Sequence, residues 1–298
     1  MLLALKECRL CPRECGVNRY EETGFCQSSA EMVVAKAYLH PWEEPCISGE
    51  RGSGCIFFSH CNLSCIFCQN HAISHQGLGQ GVSVEKLADL MLDLASQGAH
   101  NINLVTPTHY APLLVESIKL AKAGGLSIPI VYNTNSYESV STIESLKGHV
   151  DIYLADFKYW DDAKAVAYSH GPKYVATASK AIDAMFEQVG QPVFDDKGMM
   201  QKGLIVRHLM LPGMLLDTKK IITYLYERYG EGFYLSLMNQ YTPMYEALNH
   251  EKLKAPINPK QYDNAIAHCE ALGIERVFIQ GEGTVTTSYV PDFQKPEF

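Results

Sequence analysis

From residue 55 onward two hydrophobic rhythms alternate along the chain. Short, nearly continuous apolar runs occur at "CIFFS" (55–59), "NINLV" (101–105), "IPIVYN" (128–133), "DIYLADF" (151–157), "LIVRHLML" (204–211), "FYLSLM" (233–238) and "RVFIQ", which ends at Gln280. Runs of this length and kind are strand-like. Between them apolar residues recur at helical spacing. The stretch 84–97 has Ser83 placed as an N-cap and Gly98 just past its end. Further helices are predicted at 111–123, 139–147, 175–189, 217–229 and 259–272, the last with Pro259 at its first position and Gly273 beyond it.

Strands separated by helices predict a parallel sheet, and continuous apolar strands fit burial on both faces. "FDDKGMMQKG" breaks the rhythm and reads as a hairpin leading into 204–211. Two architectures compete, a doubly wound open sheet and a partial (β/α)6 TIM-type barrel. The α/β barrel is preferred because polar residues gather at successive strand ends, where barrel enzymes build their sites.

The first 50 residues differ. They hold Cys8, Cys11, Cys15, Cys26 and Cys46, with a short strand at "MVVAKAYL". They read as a small Cys-rich lobe (1–50), joined by the glycines at 49, 52 and 54 to a barrel spanning 51–298.

Composition narrows the function. The chain has 298 residues, 47% of them hydrophobic, enough for one large α/β domain or two smaller ones. A net charge of -8 argues against a general nucleic-acid binder. No apolar run approaches the ~18 residues that span a bilayer, and "MLLALKECRLC" is charged too soon for a secretory signal. A cytoplasmic protein without membrane or nucleic-acid partners is expected. Nine of ten cysteines fall in the first 68 residues, and only Cys269 lies beyond. Such crowding at one end of a long chain favours metal or cluster binding over disulfides.

The densest chemistry is "CNLSCIFCQN", where Cys61, Cys65 and Cys68 stand at C-x3-C-x2-C just after the first strand of the rhythm. Three thiolates can hold three irons of a cubane and leave the fourth iron open. The alternative is Cys3His zinc, with His60 or His71 as the fourth ligand. Zinc pairs usually come as C-x2-C with a second pair downstream, so the triple fits a cluster better.

With an aromatic residue before its last cysteine, this motif resembles that of the radical S-adenosylmethionine (SAM) superfamily. "PWEEPCISG", "GSGCIFFSHCNLSCIFCQN", "DFKYW" and "VRHLMLPG" together resemble the branch related to pyruvate formate-lyase activating enzyme, over about residues 8 to 280. The resemblance implies a [4Fe–4S] cluster whose open iron is chelated by SAM, and reductive cleavage of SAM to a 5′-deoxyadenosyl radical. It implies that Phe67 packs near the adenine, Lys158 meets the methionine carboxylate, Asp156 the ribose or a cation, and His208 the ribose. The chain departs from the family at 106–109. A Gly-Gly-Glu segment usually holds the methionine amino group there, and this chain has Thr106, Pro107, Thr108 and His109. Hydroxyls of Thr106 and Thr108, or backbone carbonyls, are the candidate replacements. Asn133 and Asn135 after the third strand are further candidates, as are Ser236, Asn239 and Gln240 after the sixth.

Each of these positions has a plainer reading: a capped turn at 106–109, helix caps at the asparagines, an ordinary Asp–Lys pair, a core histidine at 208. "CRLCPRECGVNRYEETGFC" sets Cys8, Cys11, Cys15 and Cys26 at C-x2-C-x3-C-x10-C, a tetrathiolate for zinc, one iron or a second [4Fe–4S] cluster, with the cluster preferred and four reduced, unliganded thiols as the plainer reading. Cys46 and Cys55 read as buried small hydrophobes.

The expected function is therefore a radical SAM enzyme that abstracts a glycine hydrogen in a partner glycyl radical enzyme. It would draw electrons from an external one-electron donor such as flavodoxin or ferredoxin. A radical SAM enzyme that modifies a peptide or small molecule is the alternative. An iron–sulfur electron carrier or zinc-scaffolded interaction module is a third reading.

Overall fold

A computed structural model describes residues 2–281 and 291–293. Helix α1 (Leu3–Lys6) opens the N-terminal lobe, and β1 (Met32–His40) leaves it. Helix α2 (Pro45–Ser48), β2 (Ser53–Phe58), α3 (His71–Ser74) and β3 (Gln80–Val82) follow. Then come α4 (Val84–Ser96), β4 (Ile102–Val105), α5 (Ala111–Ala123), β5 (Ile130–Thr134), α6 (Val140–Ser145), β6 (Ile152–Asp156), α7 (Asp162–Ser169) and α8 (Tyr174–Val189). The chain continues through β7 (Val193–Phe194), β8 (Met200–Leu209), α9 (Leu215–Tyr229), β9 (Tyr234–Met238), α10 (Pro259–Leu272) and β10 (Val277–Ile279).

The helix signals in the sequence act as expected at both ends of the rhythm. The Ser83 side chain accepts from the Lys86 N–H at the start of α4. Asn258 caps α10 ahead of Pro259, and Gly273 ends it at φ 75. Helix α7 was not anticipated. It is short, and its buried face is only Ala165, Tyr168 and Ser169. Its start is nonetheless capped by the Asp161 carboxylate on the Ala163 N–H.

The strands order as β10-β9-β8-β6-β5-β4-β2-β1-β3, with β7 paired to β8. From β2 to β10 the main strands run parallel, the (β/α) barrel-type sheet expected from the alternation. The β7–β8 pairing is the hairpin at 193–202, antiparallel as read. Strand β1 exists too, but it belongs to the main sheet rather than the lobe. It pairs antiparallel with β2, His40 opposite Ser53, and its other edge holds β3. Gly54 sits where strands crowd, since a Cβ there would lie 2.9 Å from the Asn101 carbonyl oxygen. Among the described residues no helix is long and apolar enough to cross a membrane.

Alternation along the strands divides two cores. The larger lies between the sheet and its helices, with Ile56, Leu104, Tyr132, Tyr153, Val206 and Leu237 facing α4, α5, α8 and α9. The smaller fills the concave side at the strands' N-terminal ends. There Cys46 and Ile47 of α2 pack on Val131, Ile152, Leu154 and Ile205. Helix α2 is thus a plug beneath the concave face, and the space above it is where the strand ends converge. Cys46 and Cys55 are buried as read, and Cys269 is buried too.

Candidate functional site

The chain leaves β2 through His60, held at φ 73, and turns directly into the cysteine loop. Each thiol of the loop meets a hydrogen-bond donor. Cys61 Sγ accepts from the Leu63 N–H and from the Asn135 side-chain amide, both at 3.4 Å. Cys65 Sγ accepts from the Ser169 hydroxyl at 2.9 Å, and Cys68 Sγ lies 3.2 Å from the Ser74 hydroxyl. Burial outweighs these donors. It pushes the Cys65 thiol up to about 11 and raises Cys61 and Cys68 as well. Such a set becomes thiolate when a cation arrives to share the charge.

The three cysteines line one end of a cavity of about 600 Å³, within the range of small-molecule and cofactor sites. Phe67, Thr106, Asn133, Asn135, Asp156 and Lys158 line it as well. Lys158 Nζ donates to Asp156 Oδ2 at 2.6 Å. Burial pulls the lysine pKa down, but the Asp156 carboxylate and the neighbouring Cys65 more than reverse this, so it stays cationic. Thr106 is held at φ 59, a conformation unusual for a branched residue. Phe67 meets both descriptions given to it, lining the cavity and packing 6.2 Å from the Tyr241 ring. Ser236 and Gln240 also reach the cavity.

Three expected contacts lie elsewhere. His208 points into the outer core, because its neighbour Arg207 takes the concave face. Its Nδ1–H donates to the Phe157 carbonyl at 2.7 Å, and Nε2 accepts from the Thr218 hydroxyl at 2.9 Å. Burial lowers its pKa to about 4, so it is a neutral core histidine. Thr108 is also fully buried, donating to Glu138 Oε1 at 2.6 Å. Thr134 and Tyr132 donate to the same oxygen at 2.5 and 3.3 Å. Burial pushes Glu138 up to about 7 despite these hydroxyls. Asn239 is outside the cavity lining, its N–H donating to Gln280 Oε1. Asn135 lines the cavity, but its amide is taken. Besides Cys61 it donates to Asn62 Oδ1 at 2.8 Å, which makes it a support for the cysteine loop. His60 and His71, the alternative zinc ligands, are not among the lining residues, and His71 stacks on Tyr245 at 5.1 Å. Among the described residues no three His, Cys, Asp or Glu side chains converge on the position of one ion.

The cavity floor was not read from the sequence. Arg207 Nε and Nη2 fork onto Glu44 at 2.7 and 2.6 Å, and Nη2 also donates to Glu43. Glu43 Oε1 further accepts from the Asn103 amide at 3.0 Å. Burial raises the Glu44 pKa, but Arg207 outweighs it and holds the carboxyl below its ordinary value. The acids of "PWEEPC" are thus lifted from the α2 plug into the concave face. Their cation lies more than 150 positions away, which is why spacing in the sequence could not show the pairing.

Residues 55–194 match the family described as Radical SAM superfamily, a span that holds the cysteine loop, Thr106, Asn135, Asp156 and Lys158. The chain is thus similar to the radical SAM superfamily over just under half of its length. It is 27% identical over 282 residues to an uncharacterized protein of Methanocaldococcus jannaschii, covering 92% of this chain and 77% of that one. Among solved structures it is similar in fold to Streptococcus suis SuiB bound to precursor peptide SuiA, with a TM-score of 0.50 at 13% identity, covering 75% of this chain and 47% of SuiB. SuiB alone gives a TM-score of 0.49 at 11% identity, with 76% and 48% covered. The chain thus spans about half the length of SuiB.

A match to the radical SAM superfamily implies a [4Fe–4S] cluster and SAM. The residues present fit both. Hydrogen bonds to each cysteine sulfur are what a cluster's thiolates require, and the cavity beside them carries a cation–carboxylate pair and the Asn133 side chain.

The N-terminal cysteines also come together. Cys8, Cys11, Cys15 and Cys26 line one small enclosed cavity, with Arg13, Arg19 and His109 around it. Arg19 is fully buried and ties the lobe by donating to Ser28 O, Ser29 O and the His109 carbonyl. His109 in turn lies 2.8 Å through Nε2 from the Ser59 carbonyl, which occupies it with structure rather than with a cofactor.

Proposed function

We propose that this radical SAM enzyme acts on a glycine-bearing segment of a protein, abstracting a hydrogen atom to leave a glycyl radical in a partner enzyme. One observation carries the choice of a macromolecular substrate. Among the described residues the sheet runs from β3 to β10 without closing. The cavity reaches from the three cysteines to that open side, lined there by Phe278, Ile279 and Gln280 and by His40 and Trp42. An extended segment can therefore enter sideways.

In this reading Cys61, Cys65 and Cys68 hold the [4Fe–4S] cluster. Lys158 receives the methionine carboxylate, with Asp156 fixing its ammonium. Thr106 and Asn133 offer polar edges where a Gly-Gly-Glu segment is lacking, and Phe67 flanks the adenine. Thr108 and His208 stay in the core. When bound, cluster and SAM supply the 5′-deoxyadenosyl radical, using an electron from a donor such as flavodoxin or ferredoxin. The protein's share is placement: the buried Arg207–Glu44 pair makes a rigid floor, and Asn135 fixes the loop.

A second reading, modification of a peptide, draws on the fold shared with SuiB, whose structure contains a precursor peptide. Anaerobic incubation with SAM, reductant and a glycyl radical enzyme of the same host separates the two. A glycine-centred doublet in the electron paramagnetic resonance (EPR) spectrum supports the proposal. Cleaved SAM with a closed-shell modified peptide and no protein radical would replace it with the second. No SAM cleavage at all would return the chain to an electron carrier.

A further inference from the structure

Behind the hydroxyl that meets Cys68 stands a second donor. After Cys68 the chain makes the single turn of α3, closed by the Ser74 N–H on the Asn70 carbonyl at 2.9 Å. The His60 N–H donates to the Ile73 carbonyl at 2.9 Å and ties that turn to the end of β2. Ser74 is thereby folded back onto the cysteine loop, where it lines the cofactor cavity with its hydroxyl 3.2 Å from Cys68 Sγ. The same hydroxyl lies 2.9 Å from His75 Nδ1, and His75 Nε2 lies 3.1 Å from the Ser64 hydroxyl. Ser64 precedes Cys65, so His75 ties both ends of the stretch that carries Cys65 and Cys68. The imidazole is held from outside as well. Tyr245, in the turn Tyr245–Asn249 after β9, packs 4.9 Å from the His75 ring. The Ala247 N–H of that turn donates to the Ile66 carbonyl at 2.9 Å.

Counting protons gives this chain of contacts a direction. A cysteine that ligates iron is a thiolate and only accepts. Ser74 has one O–H, which is then committed to Cys68. Its oxygen is left to accept, so His75 carries a proton on Nδ1 and donates it to Ser74. Burial holds the ring below its ordinary pKa and keeps it neutral at pH 7, so Nε2 accepts from the Ser64 hydroxyl. Donation therefore runs one way, from Ser64 through His75 and Ser74 to the Cys68 sulfur, and aligned hydrogen bonds strengthen one another.

We propose that Ser74 and His75 are positioning residues that raise the reduction potential of the centre at Cys61, Cys65 and Cys68. The inference rests on the radical reading of that loop and deepens it. Gaining one electron puts more negative charge on the sulfurs. A donor aimed at Cys68 therefore stabilises the reduced state more than the oxidised one. His75 acts through Ser74, because without its Nδ1–H the hydroxyl is free to turn its proton away from sulfur. A residue that only stapled the loop would leave the potential where it is.

The test uses full-length protein assembled anaerobically, with the midpoint potential read by redox titration of the EPR signal of the reduced centre, without SAM. Ser74→Ala should lower the equilibrium constant for one-electron reduction about 10-fold, a midpoint about 59 mV more negative. His75→Leu should shift the midpoint in the same direction. His75→Asn, whose side-chain amide stands in for Nδ1–H, should restore most of the wild-type value. Iron content should stay at the wild-type level in all three. A wild-type midpoint in Ser74→Ala, or equal shifts in His75→Leu and His75→Asn, would overturn the proposal. If Ser74→Ala assembles no centre, the two His75 variants decide by the same comparison. An unchanged midpoint in an intact centre removes only this inference, whereas wild type that assembles no iron centre at the loop would remove the radical reading with it.

Discussion

Replacing Arg207 by Met tests the physical account of the cavity floor. The guanidinium is the cation that forks onto Glu44 and reaches Glu43, and these side chains are only 14%, 5% and 7% exposed. Removing one partner of a buried ion pair leaves the other charge uncompensated, at a cost of about 3–5 kcal/mol. The pH dependence should also change sign. In the wild type Glu44 is held below its ordinary value, so its stabilisation is present above the unfolded carboxylate pKa and lost as pH falls through the folded one. Without Arg207 burial is the largest influence left, opposed only by the Glu44 backbone and Ser236, and it raises the carboxyl. The variant should then be favoured at low pH and lose stability as pH rises through the unfolded value. Anaerobic urea unfolding should show a gap of about 3–5 kcal/mol at pH 7 that narrows towards pH 4. Adding Glu44→Gln should recover part of it, because one of the two carboxylates left without Arg207 is gone. A gap under ~1 kcal/mol at pH 7, the size of a surface pair, or one that widens in acid, would refute the reasoning.

Three other changes probe the remaining parts. Lys158→Met removes the cation beside Cys65 and Asp156; a charged hydrogen bond is worth about 1.5–3 kcal/mol, so equilibrium binding should find SAM affinity ~10- to 100-fold weaker, and an unchanged affinity would strike Lys158 from the site. His208→Leu should lower unfolding stability by about 1–3 kcal/mol for each polar partner left unmet at Phe157 and Thr218, with SAM affinity unchanged; a large loss of affinity would put His208 back among the cofactor contacts. Glu138 folds with its pKa raised to about 7, so its stabilisation is present below the unfolded carboxylate pKa and is lost as pH rises through 7. Glu138→Gln should therefore be more stable than wild type at pH 8, by about 3 kcal/mol, and identical pH profiles would show that Glu138 does not hold a proton.

What could be read from the sequence followed from periodicity and from covalent neighbours. The alternation of apolar runs fixed the parallel sheet, and caps such as Ser83 and Gly273 marked helix ends. The C-x3-C-x2-C loop was legible because its three residues are close in the chain. Side-chain direction on a strand was harder. Arg207 and His208 are adjacent, and only the packed sheet shows that the arginine takes the concave face and the histidine the outer core. Long-range polar partners were invisible, so Glu43, Glu44 and Arg207 could not be joined. Asn62 shows the same limit, since its partners are Arg13 in the lobe and Asn135 and Tyr137 after β5. Helix α7 was hidden by its thin apolar face, though it places Ser169 against Cys65.

The most direct test of the central claim is reductive cleavage of SAM by the anaerobically assembled protein, comparing wild type with Cys65→Ala. Chromatography should show 5′-deoxyadenosine formed with dithionite by the wild type and none above background by the variant. Formation at the wild-type rate without Cys65 would contradict the assignment of the Cys61, Cys65 and Cys68 loop as the radical-generating site.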